Sequence, residues 1–257
     1  EWKMQQSKKY AFINSQDQRY FDTIGKYMLK SFLTYAPAHF DLYFYNEGIN
    51  DLEGIEKYKN FHNINWNETC GADWQKFANN CSDSSAQKFG KKGWASIHGW
   101  RNIKADYLVW LDADLLFYKN FNEDIINTTI NENKLIGLFD HAYTSSLKHG
   151  AGGFSAETGY VVLNCNHPNY NDFIDEYQRL YELETKPDEI VSWWDNQVCM
   201  LAASKFMPQV FDLSTLRFHD KTQTPMNHSP LAEYFGHQKG KSKKHLDEKY
   251  FKEKTGL

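Results

Sequence analysis

No stretch of this chain stays apolar for the ~20 residues that a membrane-crossing helix requires, and Glu1 onward has neither the basic nor the apolar region of a secretory signal. The sequence therefore predicts a cytoplasmic protein without a membrane span. Charge of one sign is not in excess either. Against 33 Asp and Glu stand 29 Lys and Arg, a formal charge of -4, and the motifs of nucleic-acid readers are missing, which excludes polymeric nucleic acid as a partner. Cysteine is scarce. Cys70, Cys81, Cys165 and Cys199 form no Cys-x-x-Cys pair, so a zinc site has no basis. Cys165 and Cys199 stand in apolar segments and are expected as buried thiols; Cys70 and Cys81 bracket a polar stretch and would pair only in an oxidising compartment. Four Asn-x-Ser/Thr triplets, at Asn67, Asn80, Asn127 and Asn227, read as accidents of an Asn-rich chain. Internal repeats and low-complexity linkers are absent.

What is present is an alternation of strand and helix. Lys9 to Ser15 reads as a first strand, Tyr20 to Tyr35 as a helix stopped by Pro37, and Asp41 to Tyr45 as a second strand. Such an opening favours a mostly parallel sheet with right-handed crossovers. Gly48 to Ser85 is polar and reads as irregular; Ala86 to Asn102 reads as a helix feeding a strand at Tyr107. Further strands are expected at Leu135 to Asp140 and Gly159 to Asn164, with a glycine-bearing loop, His141 to Ala156, between them, in which His149-Gly-Ala-Gly-Gly153 could form a flap. Asn171 to Glu184 has helical periodicity through Phe173, Tyr177, Leu180 and Tyr181. Thr222 to Lys244, dense in Pro, Gly, His and Lys, reads as one long loop. At 257 residues the chain suits a single α/β domain, with a nucleotide half of about residues 1–118 and an acceptor half of about 119–257.

Tyr107-Leu-Val-Trp-Leu111 is the apolar run of a strand covered on both faces, and Asp112-Ala113-Asp114 emerges where it leaves the core. Two carboxylates so placed can converge on a hard divalent cation, Mn²⁺ or Mg²⁺, whose open positions accept a diphosphate. A nucleotide-activated substrate follows from that chemistry. Near the C-terminus His237-Gln-Lys-Gly240-Lys-Ser-Lys243 supplies an imidazole able to ligate Mn²⁺, a residue without Cβ, and a point charge for phosphate. A third segment, Glu157-Thr-Gly159-Tyr-Val-Val-Leu-Asn164, precedes Trp193-Trp194-Asp195-Asn196-Gln197.

In order and spacing these segments resemble the GT-A class of glycosyltransferases, most of all glycosyltransferase family 8, whose members retain anomeric configuration. The resemblance implies a single Rossmann-like domain, a mostly parallel central sheet flanked by helices. It also implies a uridine diphosphate-linked sugar donor, a carbohydrate or other hydroxyl acceptor, and Mn²⁺ or Mg²⁺ held by Asp112, Asp114 and His237. Gly240 and Lys243 would then meet the diphosphate, with Ala113 between the acidic pair. The chain departs from the family's pattern in three places. Lys244-His245 stands where Pro-Trp usually follows the Lys, Glu157 where the family has Asn, and Asn196-Gln197 follows Asp195 where the family has an Asp-Gln-Asp segment.

Metal-assisted departure of the diphosphate would be the main catalytic term. Asp195, Asn196 and Glu157 are the candidates for stabilising the sugar's cationic centre, each equally readable as a substrate hydrogen-bonding group or, for Asp195, a helix cap. Asn14, Ser15 and Asp17 fall at the carboxyl end of the first strand, where base and ribose sit in such folds. Lys88, Lys91 and Lys92 precede the Asp112 strand and can reach donor phosphate or sugar, although a solvated helix face suits at least two of them. Trp94, Trp100, Trp193 and Trp194 are mostly core, with one of the last two an acceptor contact. Two other readings compete. A sugar-nucleotide-forming nucleotidyltransferase needs a glycine-rich loop after the first strand, and Asn14 to Arg19 has no glycine. A carbohydrate-binding relative without turnover has no use for a complete metal and diphosphate set.

Overall fold

The structure, a computed structural model, describes residues 8–140, 156–216, 225–238 and 247–257. Along the chain run β1 (Tyr10–Gln16), α1 (Gln18–Tyr20), a π turn at Phe21–Gly25, α2 (Lys26–Tyr35), β2 (Asp41–Asn46), β3 (Phe61–Asn65), α3 (Trp66–Thr69) and α4 (Gly71–Asn80). Then follow α5 (Ser84–Asn102), β4 (Tyr107–Leu111), β5 (Leu115–Phe117), α6 (Glu123–Asn127), β6 (Ile136–Asp140) and β7 (Ala156–Asn164). The chain continues through α7 (Tyr170–Glu182), α8 (Asp195–Ser204), β8 (Val210–Asp212), β9 (Phe235–His237) and α9 (Glu248–Thr255).

Seven strands make one sheet in the order β3-β2-β1-β4-β7-β6-β8, with strands from both halves of the chain. Only β7 runs against its neighbours, β4 and β6; the other four pairings are parallel. Period-two alternation divides the core between the two faces. Ala11 and Ile13 of β1, Leu108 and Trp110 of β4, and Val161 and Leu163 of β7 pack under α5, α7 and α8. Tyr10 and Phe12, Val109 and Leu111, and Tyr160 and Val162 pack on the other face, against α2 and the separate β5-β9 pair. Because both faces are covered, β1 and β4 are apolar at every position of these runs, which is why they were legible as strands.

The long helix α5 begins at Asp83, whose carboxylate accepts the N–H groups of Ser85 (2.9 Å) and Ala86 (3.2 Å). The same carboxylate accepts the Ser192 hydroxyl at 2.6 Å, joining the helix start to the loop before α8. Gly93 in mid-helix costs about 1 kcal/mol of helix propensity relative to Ala. A Cβ there would stand 2.5 Å from the Tyr181 ring, so its absence lets α5 and α7 close up.

Two stretches differ from the sequence expectation. Gly48 to Ser85 is not irregular: it carries β3, α3, α4 and a 3-10 turn at Ile55–Lys57. β3 is an edge strand, so few of its residues are buried and the apolar signal is thin. In the stretch Thr222 to Lys244, the described residues 225–238 hold two 3-10 turns, Pro225–His228 and Pro230–Glu233, and β9. Three residues are too few for a strand period to register. The loop expected at His141 to Ala156, with its flap at His149 to Gly153, lies outside the described residues except for Ala156, which opens β7. All four cysteines are free; Cys70, Cys81 and Cys199 are buried, whereas Cys165, expected to be buried, is only partly covered because it lies just past the end of β7. Among the described residues no helix is long and apolar enough to cross a membrane.

Candidate active site

β1 and β4 lie side by side and parallel, and the chain leaves them toward opposite edges of the sheet. Their carboxyl ends therefore open a crevice at a switch point, the place where open α/β sheets bind ligands. Asn14 is fully buried there. Its Nδ2 donates to the Leu111 carbonyl at 2.7 Å and its Oδ1 accepts from Gln16 Nε2 at 2.8 Å, tying the ends of the two strands together. The Ser15 hydroxyl donates to Glu47 (2.7 Å), which also pairs with Lys91 (3.2 Å). Asp17 caps α1, accepting the Tyr20 N–H at 2.8 Å. Lys88 is exposed and rests 4.9 Å above the Tyr20 ring.

Asp112 is the first residue past β4. Its Oδ1 accepts from Trp110 Nε1 (2.9 Å), on the same face of the strand, and from Lys92 Nζ (2.6 Å). Ala113 is buried behind it. Asp114, expected to lie outside the core, is only 5 % exposed, because β5 turns straight back inward and the Gln238 N–H holds the Asp114 carbonyl at 2.8 Å. β9 pairs with β5 so that His237 faces Leu115. That register carries the imidazole across more than a hundred residues of sequence to the acidic pair: His237 Nε2 is 2.8 Å from Asp114 Oδ1, and Nδ1 is 3.6 Å from Glu157 Oε1. The Asn227 side chain clamps the His237 backbone, accepting its N–H (2.6 Å) and donating to its carbonyl (2.8 Å).

Glu157 is 3 % exposed and accepts the Gly159 N–H at 2.9 Å. Gly159 is indispensable to this packing, since a Cβ on it would lie 2.6 Å from His237 Cε1. One ligand-capable atom from each of Asp112, Glu157 and His237 falls within 4.8 Å of the others. Asp195 is the first residue of α8 rather than its cap. Its carboxylate takes Lys92 Nζ at 2.8 Å and the Thr158 hydroxyl at 2.5 Å, and Lys92 also donates to the Thr158 carbonyl at 2.8 Å. Burial disfavours the Lys92 charge, but Asp112 and Asp195 outweigh it and hold the ammonium's pKa above the ordinary lysine value.

Asn196 is partly exposed, and among the described residues it makes no hydrogen bond to this cluster. Gln197 is spent on the loop, accepting the N–H groups of Val191 (2.6 Å) and Ser192 (3.2 Å). Trp193 is core, its indole N–H on the Leu180 carbonyl; Trp194 is half-buried with its ring edge-on to the exposed Phe89. Gly240 and Lys243 lie outside the described residues. Of the three lysines before β4, the structure brings Lys92 between the carboxylates. Helical spacing carried that signal, because Lys92 stands one turn before Ala95 and Ser96, both buried.

No family model matches the chain, and no curated protein matches it. Solved structures do. The galactosyltransferase LgtC, in complex with donor and acceptor sugar analogues, aligns over 96 % of this chain and 95 % of its own, with a TM-score of 0.58 and 14 % identity. The fold is GT-A. The mannosyltransferase Ktr4p from S. cerevisiae aligns over 88 % of this chain and 78 % of its own (TM-score 0.53, 12 % identity). The bifunctional glycosyltransferase WbbM aligns over 88 % of this chain (TM-score 0.55, 13 % identity), and there the chain spans 43 % of the larger protein. At such identities the likeness is one of architecture.

Proposed function

We propose that this chain is a metal-dependent glycosyltransferase. It moves a sugar from a nucleoside diphosphate donor, uridine-linked as the resemblance to family 8 implies, to a hydroxyl of a glycan or other acceptor with retention of configuration. One observation carries the reading: Asp112, Glu157 and His237 converge at the switch-point crevice of a GT-A fold, from β4, β7 and β9. The carboxyl groups of Asp112, Asp114, Glu157 and Asp195 gather there with the Lys92 ammonium and the His237 imidazole. Oxygen donors with one imidazole fit Mn²⁺ well, so the residues suit the metal that the fold implies.

Asp112 and His237, with the flanking carboxylates of Asp114 and Glu157, would hold the cation. When bound it neutralises charge on the departing diphosphate. The chain's own residues do the rest. Lys92 spans Asp112 and Asp195 and fixes both; Asp195, Asn196 and Glu157 are assigned to stabilising a donor sugar's cationic centre on the resemblance. Asn14, Ser15 and Asp17 stand where base and ribose would lie, and Trp194 with Phe89 offers an aromatic face to an acceptor sugar. Gly240 and Lys243 are assigned to the diphosphate on the resemblance.

The test is calorimetric titration of uridine diphosphate with Mn²⁺, with Mg²⁺ and with chelator, repeated on His237→Ala. Binding that needs both metal and His237 is expected; metal-independent binding, or none, would refute the uridine diphosphate donor site.

A further inference from the structure

We infer that Glu47 and Lys91 read the edge of the donor's base and restrict it to one that presents a ring N–H beside a keto oxygen, uracil or guanine, against cytosine and adenine. Such selection rests on the nucleotide-donor reading above. Glu47 follows β2, which lies parallel beside β1 with Asn46 opposite Gln16. The Glu47 N–H therefore meets the Gln16 carbonyl at 3.0 Å, and the turn after it is pinned by the Asn46 side chain, whose Oδ1 accepts the N–H groups of Gly48 (2.9 Å) and Ile49 (2.6 Å). Held on both sides, Glu47 brings its carboxylate to the carboxyl end of β1, where a nucleoside would lie. Its Oε1 accepts the Ser15 hydroxyl at 2.7 Å and its Oε2 the Lys91 ammonium at 3.2 Å. The Asp17 carboxylate, by contrast, is occupied with the start of α1.

Lys91 is as firmly placed. Its ammonium lies 5.2 Å from the Trp66 ring and 5.3 Å from the Trp74 ring. Both indoles are themselves tied to α5, Trp66 Nε1 donating to the Lys91 carbonyl (3.3 Å) and Trp74 Nε1 to the Gln87 carbonyl (2.9 Å). An acceptor and a donor are thus fixed side by side, the Glu47 side chain 10 % exposed and that of Lys91 30 %. A carboxylate has several lone pairs and an ammonium three protons, so each keeps capacity for a ligand after these contacts. Uracil, at N3–H and O4, and guanine, at N1–H and O6, offer a donor and an acceptor in the complementary order. Cytosine and adenine offer the reverse: a ring-nitrogen lone pair would face the carboxylate and an amino group the ammonium, so repulsion adds to the lost hydrogen bonds.

The experiment is calorimetric titration of uridine, guanosine, cytidine and adenosine diphosphates, each with Mn²⁺, into the whole chain and into Glu47→Gln and Lys91→Met, with circular dichroism to check folding. Metal and diphosphate are common to the four ligands, so the ratio of affinities isolates the base. The wild type is expected to bind the uridine or the guanosine nucleotide at least about tenfold tighter than the other two classes, the discrimination usual for paired polar contacts to a base edge. Which of the two keto nucleotides binds tighter tells uracil from guanine. Glu47→Gln, whose amide can donate as well as accept, is expected to lose the preference. Lys91→Met, which removes the donor to the keto oxygen, is expected to narrow it and carries the test if the first variant does not fold. A loss of affinity equal for all four nucleotides in both variants would assign the two residues to the fold alone and overturn the base selection, as would a wild type that binds the cytidine or adenosine nucleotide as tightly as the keto pair. A wild type that binds none of the four would overturn the donor site itself.

Discussion

Glu157 and Gly159 show how much a single side chain, or its absence, decides at this site. Gly159 leaves room for the His237 ring while its N–H positions the Glu157 carboxylate. Gly159→Ala would force the ring away, since the contact at 2.6 Å is with a clamped imidazole and not with the end of a flexible chain. The expected outcome is a folded protein, destabilised by the roughly 1–3 kcal/mol typical of overpacking, whose Mn²⁺ affinity falls at least tenfold. Unfolding in urea and metal titration of the same sample measure both. An unchanged affinity would mean that the ring has another resting place. Lys92 makes the complementary point. Its two carboxylate partners come from β4 and α8, and neither is near it in sequence.

Among elements, α5 carries the most weight. It supplies Lys92 to the site and packs along one sheet face, and its start is held by Asp83, which also binds Ser192 before α8. The Ser192 hydroxyl, with the Ser85 and Ala86 N–H groups, holds the Asp83 carboxyl below its ordinary pKa of 3.8. A depressed carboxyl stabilises the fold above the unfolded pKa and loses that contribution as pH falls through the folded value. Asp83→Ala is therefore expected to cost about 1 kcal/mol at neutral pH, the usual value of a helix cap, and the gap from wild type should narrow as pH falls below 3.8. Chemical denaturation at pH 7 and pH 3 reads both; a pH-independent difference would assign the loss to packing. The sequence showed this helix to within two residues of its start, but not α3, α4 or β3, because their surfaces are polar and β3 is an edge strand.

At the scale of the whole molecule, the site depends on the second apolar core. β9 reaches Asp114 because Phe235, fully buried, packs on the rings of Phe117, Phe121 and Tyr160. Phe235→Ala should lower stability by about 3–5 kcal/mol. It should also abolish Mn²⁺ binding under conditions where the chain is still folded, because His237 is anchored by the same three-residue strand. Thermal melts with and without Mn²⁺ check this: the wild type should gain stability from the ion by mass action and the variant should gain none. A variant that still melts higher with Mn²⁺ would show that the ion does not need β9.

The sequence by itself determined the α/β class, the strand and helix order through α2, α5, β4 and α7, and the candidacy of Asp112, Asp114, Glu157, Asp195 and His237. Local rules suffice for these: buried strands are apolar throughout, amphipathic helices repeat every 3.6 residues, and carboxylates that follow a buried strand are conspicuous. Only the tertiary structure decided that Asp114 is buried, that Lys92 rather than Lys88 lies between carboxylates, and that Glu157 stands beside His237. These depend on the β5-β9 register, the bulge in the β6-β7 pairing near Glu157, and the rotation of α5 against the sheet. Each is a contact between distant segments, set by packing of the whole core and therefore invisible to any local pattern.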